Sequence, residues 1–246
     1  MLRWLVVALV LVVTASAATD ARSENDFASQ RTDMVEDIKT RAMAMGPITG
    51  IPRIDGGVLE VMEEVPRHLF VPEPLRPYAY YPTPLPLGFG QNMASPYIVA
   101  LMTHLAEVRP DDRVLETGTS GGYQAAILSH LADEVVSVEV IPEIANEARV
   151  NLVEAGYGRV RTYIADGYYG WSERAPYDVI LLKDSLDHVP EPLLRQLAPG
   201  GRMVMPLGPE EEGQELTVIT KNSEGEVNRR AVLPVLFSPL RGGDRI

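Results

Sequence analysis

The sequence predicts an α/β chain: a doubly wound parallel sheet extended by a C-terminal antiparallel hairpin. Three observations carry that expectation. Short apolar runs of strand length alternate with helical patterns from Pro96 to Met205. A glycine-rich turn, Gly118 to Gly122, joins the first of those strands to a helix. Two later strand patterns, Leu216–Thr220 and Ala231–Phe237, are separated by the polar stretch "KNSEGEVNR".

The elements follow in order. Met34, Ile38, Ala42 and Met45 recur at helical spacing and predict a helix over 32–45. "GVLEVMEEV", residues 57–65, predicts a second helix, stopped by Pro66. Seven prolines lie between Pro72 and Pro96, which excludes a regular helix or central strand. That stretch is expected to be a shaped loop held by Tyr78, Tyr80, Tyr81 and Phe89. Pro96–Val108 reads as a helix with Ile98, Leu101, Met102 and Leu105 on one face. Strands are expected at Arg113–Glu116, Val135–Val138, Val160–Ile164, Val179–Leu182 and Met203–Met205. Helices are expected at Tyr123–Leu131, Ile144–Ala155 and Pro192–Leu197, the last ending in a Pro199-Gly200-Gly201 turn.

Composition narrows the function classes. With 46% hydrophobic residues in 246, the chain can bury a core. It has no cysteine, so a disulfide, a thiolate metal site and a cysteine nucleophile are all excluded. The net charge of -12 argues against non-specific binding of nucleic acid, which needs clustered positive charge. His68, His104, His130 and His188 are scattered without ligand spacing, so no metal site is expected.

The N-terminus has the pattern of an export signal. Arg3 supplies positive charge, Leu5–Val13 is an unbroken apolar run, and Ala15-Ser16-Ala17 offers small residues for cleavage. The run is too short to span a bilayer. The expected organisation is a signal peptide over 1–17 and a flexible lead-in over 18–31. N-terminal helices and a lid follow over 32–97, and a core over 98–246. An exported, periplasmic monomer is expected, or a cytoplasmic one if the start codon is mis-assigned.

The segment "VLETGTSGGYQAAIL", residues 114–128, carries the ligand argument. Glycines at a strand-to-helix turn let backbone approach a ligand. Glu139 ends the next strand, 21 positions after Gly118, where such folds bind ribose hydroxyls. Asp166-Gly167 follows the third strand at the same sheet edge. Together they predict a nucleoside ligand. Glu116, just before the turn, would repel a pyrophosphate and suits a cationic cofactor such as S-adenosylmethionine.

Consecutive blocks of the chain resemble the protein-L-isoaspartate O-methyltransferase family. They are "VPRHLFVP" (65–72), "AYYPTPLPLGFGQ" (79–91), "PYIVALMTHL" (96–105), the glycine-turn segment, "VVSVEVIPEIANEAR" (135–149), "ADGYYGWSERAPYDVILL" (165–182), "LLRQLAPGGRMVMPLG" (193–208) and "VLFSPLRG" (235–242). The resemblance spans roughly 55–241. It implies a Rossmann-like, seven-stranded methyltransferase fold with a substrate lid, and S-adenosylmethionine as cofactor. It implies methyl transfer to the carboxylate of isoaspartyl residues in damaged polypeptides. It places Glu116, Gly118 and Gly122 along the methionine part of the cofactor, Glu139 at the ribose, and Asp166 with Gly167 near the adenine, with Ser120 a further cofactor-binding candidate in the turn. It places the substrate lid over 79–97, which here holds Gln91, Asn92 and Ser95. Lys183 is not part of the family pattern, and as an alternative to an exposed ion pair it could hold a substrate carboxylate.

The sequence departs from the family pattern at these same places. The lid reads Gln91-Asn92-Met93-Ala94-Ser95-Pro96, so Ala94 stands where the family has serine, and Ser95 could substitute after a one-residue shift. Pro82 replaces an aspartate. Lys183-Asp184-Ser185 replaces a small neutral Thr-Ala-Ala run. Lys183-Asp184 is read first as an exposed ion pair of little energetic weight. In the turn, Gly118-Thr119-Ser120-Gly121-Gly122 puts a side chain at 120 where bare backbone is expected. Trp171 is read as a packing residue. Two alternatives stay open on the same fold: a non-catalytic binding module, and a methyltransferase for another carboxylate.

Overall fold

The computed structural model describes the backbone of residues 2–209 and 213–242, and side chains from residue 26 onward within those ranges. A seven-stranded sheet has the order β5-β4-β3-β6-β7-β8-β9. Its strands are β3 (Arg113–Thr117), β4 (Glu134–Glu139), β5 (Arg161–Ile164), β6 (Tyr177–Leu182), β7 (Leu197–Leu207), β8 (Gln214–Lys221) and β9 (Val227–Val235). The first five run parallel, and β8 and β9 are antiparallel additions. Every expected strand is present, and the terminal pair is the expected hairpin.

Alternation along the strands sorts the core into two layers, because successive side chains point to opposite faces. Val114, Val179, Leu181, Val204 and Val218 pack on one face against α1 (Leu2–Thr49), α2 (Gly56–Glu64), α3 (Pro96–Ala106) and α4 (Tyr123–Leu131). Leu115, Ile180, Leu182, Met203 and Ile219 pack on the other, against Leu193 of α6 (Glu191–Gln196) and the loop residues Leu186, Val189 and Leu240. Each fully buried Leu or Ile contributes roughly 1.5–3 kcal/mol to this sandwich. The remaining helix, α5 (Pro142–Glu154), connects β4 to β5.

Three local expectations are corrected, and one lies outside the described residues. The lead-in expected over 18–31 falls inside α1, which runs to Thr49 and stops before Gly50 at positive φ. Residues 26–31 have no Gly or Pro to interrupt it, and Phe27 stacks on His68 at 4.0 Å. The signal expected at 1–17 falls where side chains lie outside the described residues. The Pro199-Gly200-Gly201 turn is a bulge within β7, which pairs with β6 on both sides of it. Of the four aromatic residues expected to hold the proline-rich loop, Tyr80 is buried, while Tyr78, Tyr81 and Phe89 are exposed. A 3-10 turn at Arg67–Phe70 leads into that loop, which contains a second one, Glu73–Tyr78, and a small hairpin of β1 (Leu85–Gly88) and β2 (Gln91–Met93). Trp171 stacks on Tyr163 at 4.1 Å as packing. Among the described residues no helix is long and apolar enough to cross a membrane.

Candidate active site

The sheet order reverses between β3 and β6, and the site opens at their carboxyl ends, where open α/β sheets bind ligands. The glycine turn is pinned there by Gly118 N–H donating to Val138 O at 2.8 Å. Gly118 takes φ +77 and Gly122 φ +98, so α4 starts directly after a left-handed residue. Ser120 also takes a left-handed φ, +54, a conformation costing about 1–2 kcal/mol for a residue with a Cβ. Gly121 cannot exchange with it. A Cβ at 121 would stand 2.1 Å from the carbonyl oxygen of Phe70. The backbone of the N-terminal segment thus presses on position 121 and keeps it bare, so the turn's side chains stand at 119 and 120.

Glu139 is held by two backbone N–H groups, Ser120 to Oε2 at 3.1 Å and Ile141 to Oε1 at 3.2 Å. Its carboxylate retains lone pairs for hydroxyl donors. With Gly118, Gly167 and Asp184 it lines a narrow cleft. A larger cavity of about 150 Å³ adjoins that cleft. The lid supplies its roof through Gln91, Asn92, Ala94 and Ser95, the turn supplies Thr119 and Ser120, and Lys183, Asp184 and Leu236–Ser238 complete it. Gln91 and Asp184 line both spaces.

The lid is anchored from below by Arg67, which is fully buried. Its Nε donates to Ala79 O at 2.8 Å and Nη2 to Ala94 O at 2.7 Å, and the guanidinium lies 4.7 Å over the Tyr123 ring. Burial lowers its pKa to about 10, still far above neutrality, so the cation persists. From above, Arg241 Nη1 donates to Phe89 O at 2.9 Å. Ser95 occupies the N-cap of α3 without making a capping bond.

Two charge expectations change. Lys183 does not form an exposed pair with Asp184. Its Nζ lies 2.7 Å from Glu116 Oε1, with side chains only 10% and 0% exposed. Nζ also donates to Thr119 O at 3.4 Å. Glu116 accepts a further bond from Ser137 Oγ. Burial holds the Glu116 carboxyl above its ordinary value, although Lys183 and Ser137 oppose that rise. Glu116 therefore stands behind Lys183 and lines neither space. The parallel pairing of β3 with β6 creates this contact, since Thr117 is in register with Leu182.

Of the other residues singled out from the sequence, Gly118, Ser120, Glu139, Gly167, Gln91, Asn92, Ala94, Ser95 and Lys183 line the two spaces. Gly122 and Asp166 do not. A Cβ on Gly122 would meet Leu152, so this glycine serves the packing of α5. Asp166 accepts the Tyr168 N–H at 2.9 Å and lies against Gly242. Asp184 and Arg241 were not anticipated as site residues. Burial and then the nearby Glu139 push the Asp184 pKa up to about 7. Two charged residues in place of a neutral run at a strand's carboxyl end were the available signal. Among the described residues no group of three or more His, Asp or Glu is arranged to hold a metal ion.

The donor set fits a nucleoside cofactor of positive charge. Carboxylates line both spaces, and glycines at 118 and 167 leave room that a side chain would fill. Comparison with known proteins decides the family. The family described as protein-L-isoaspartate(D-aspartate) O-methyltransferase matches residues 50–245.

The chain belongs to the protein-L-isoaspartate(D-aspartate) O-methyltransferase family.

It is 47% identical to protein-L-isoaspartate O-methyltransferase 1 of Cupriavidus necator, over 96% of this chain and 89% of that one. It is 48% identical to protein-L-isoaspartate O-methyltransferase 2 of Polaromonas sp., over 85% of this chain and 99% of that one. A solved protein-L-isoaspartate O-methyltransferase superposes with a TM-score of 0.74 at 26% identity, covering 87% of this chain and 67% of that one. A Plasmodium falciparum structure, solved in complex with S-adenosyl-L-homocysteine, shares the fold with a TM-score of 0.71 at 21% identity, covering 85% of this chain and 97% of that one. The chain is accordingly an S-adenosylmethionine-dependent methyltransferase of the isoaspartate-repair family.

Proposed function

We propose that the larger cavity receives the side-chain carboxylate of an isoaspartyl residue and that the narrow cleft holds the nucleoside end of the cofactor. S-adenosylmethionine supplies an electrophilic methyl group. The protein's task is then placement and exclusion of water, because a carboxylate is already nucleophilic at neutral pH. Lys183 is the observation that carries this reading. An ammonium has three N–H donors, and Glu116 and Thr119 O account for two. The third is available to a substrate carboxylate beneath the lid, where Asn92 and Ser95 supply further polar groups. Glu139 suits the ribose hydroxyls, with its geometry set by Ser120 and Ile141.

The test is methanol release from an isoaspartyl peptide in the presence of S-adenosylmethionine, against the same peptide with ordinary aspartate. The isoaspartyl peptide is expected to give methanol and the control none. Cofactor binding without methanol from either peptide would favour a different carboxylate.

The same reading extends to place and partners. Arg3, the apolar run Leu5–Val13 and the small residues Ala15–Ala17 support export to the periplasm. The net charge of -12 supports polypeptide substrates over nucleic acid, and the protein acts as a monomer in this reading. A purified chain whose mass begins after Ala17 is the expected result. An intact Met1 would return it to the cytoplasm.

A further inference from the structure

Glu116 is the acidic residue that the sequence places nearest the cofactor's positive end, yet it is shut behind Lys183 and already neutralised. A cationic cofactor therefore needs another counter-ion. Asp184 stands where one is required. It lines both the nucleoside cleft and the larger cavity, so it sits at their junction. Its Oδ2 lies 2.8 Å from the point a Cβ on Gly118 would occupy, against the bare backbone of the turn. Among the described residues no hydrogen bond or ion pair engages its carboxylate. Of the nearest cations, Lys183 pairs with Glu116 and Arg241 donates to Phe89 O, and neither forms a bond to Asp184.

We infer that Asp184 is the binding residue for the positively charged methionine portion of S-adenosylmethionine, taking the role that Glu116 has lost to Lys183. The inference rests on the cofactor assignment above and adds a residue to it. Desolvation of this half-buried carboxylate, with Glu139 close by, holds its proton to near neutrality, and Lys183 and Arg241 oppose that effect. An arriving cation favours the ionised form. Binding below pH 7 therefore displaces the Asp184 proton to solvent, and affinity rises as the pH rises through that range.

The test is titration calorimetry with S-adenosylmethionine and S-adenosylhomocysteine on the wild-type chain and on Asp184→Asn. The substitution is expected to weaken S-adenosylmethionine binding by tenfold or more at pH 8, with the deficit shrinking at pH 6. An equal loss for both ligands assigns Asp184 to the ammonium. A loss confined to S-adenosylmethionine assigns it to the sulfonium. Unchanged affinity at pH 8 overturns the inference. A second measurement needs no variant. Wild-type titrations at pH 6.5, in buffers of different ionisation enthalpy, are expected to show net proton release on binding. Binding without release overturns the inference while leaving the cofactor in place. A wild-type chain that binds neither ligand overturns the cofactor assignment itself.

Discussion

At the scale of the residue, Lys183 and Glu116 show how a substitution changes its neighbour's meaning. A carboxylate beside the glycine turn reads, in isolation, as a group awaiting a cation from the cofactor. The cation is already present, 2.7 Å away, on Lys183 just past the end of β6, 67 positions later in the chain. Removing one member of such a pair strands the other in the interior, which costs about 3–5 kcal/mol, whereas replacing both by uncharged groups of similar shape is often neutral. Lys183→Met is accordingly expected to lower the unfolding free energy by about 3–5 kcal/mol. Adding Glu116→Gln to it should recover most of that loss. Urea unfolding of the three chains checks the ordering. Equal stabilities would show that the pair is not closed off from water. Nothing in the local sequence around Glu116 announces the contact, because it exists only once β3 and β6 lie side by side.

The elements differ in how far the sequence exposes them. Strands β3 to β9 and helices α3 to α6 are visible because their apolar periods report a burial imposed by one sheet with two covered faces. The lid is less visible. Prolines at 84 and 86 discourage a strand, but β1 pairs with a single neighbour, and an edge position tolerates the missing donor. The anchor Arg67 is also hidden, since an arginine with no exposed surface is exceptional and its partners are backbone carbonyls 12 and 27 residues away. At the opposite end of the sheet, Glu134 of β4 gathers Arg113 of β3, Arg161 of β5 and Arg174 at 2.9, 2.8 and 3.0 Å. Burial alone would raise its pKa, but the three guanidinium groups outweigh that and hold it below the ordinary value. A carboxylate depressed in the folded state contributes stability above its unfolded pKa and loses it as the pH falls through the folded one. Glu134→Gln is therefore expected to be less stable than wild type at pH 7 and to match it near pH 2, measured by thermal unfolding across that range. A deficit that persists in acid would mean the carboxylate serves packing and not charge. The arginines are substantially exposed, so salt should shrink the difference at pH 7.

Across the whole molecule, the site draws on almost every layer of the fold. Its roof comes from the N-terminal lid, its turn from the first parallel strand, its charges from the carboxyl end of β6, and its far wall from Leu236–Ser238. The tail continues beside it. Ser185 exchanges backbone hydrogen bonds with Ser238 and Leu240, and Arg241 reaches back 152 positions to the carbonyl of Phe89. That last contact has a consequence for the order of events during synthesis. A ribosome makes the lid long before the residue that fastens it, and contacts of such separation form late because loop closure must precede them. The emerging chain can bury most of its sheet while the mouth of the cavity is still unfastened. Arg241 is thus made long after the lid it fastens, so a chain released before it would keep most of its sheet and lack this tie across the mouth of the cavity.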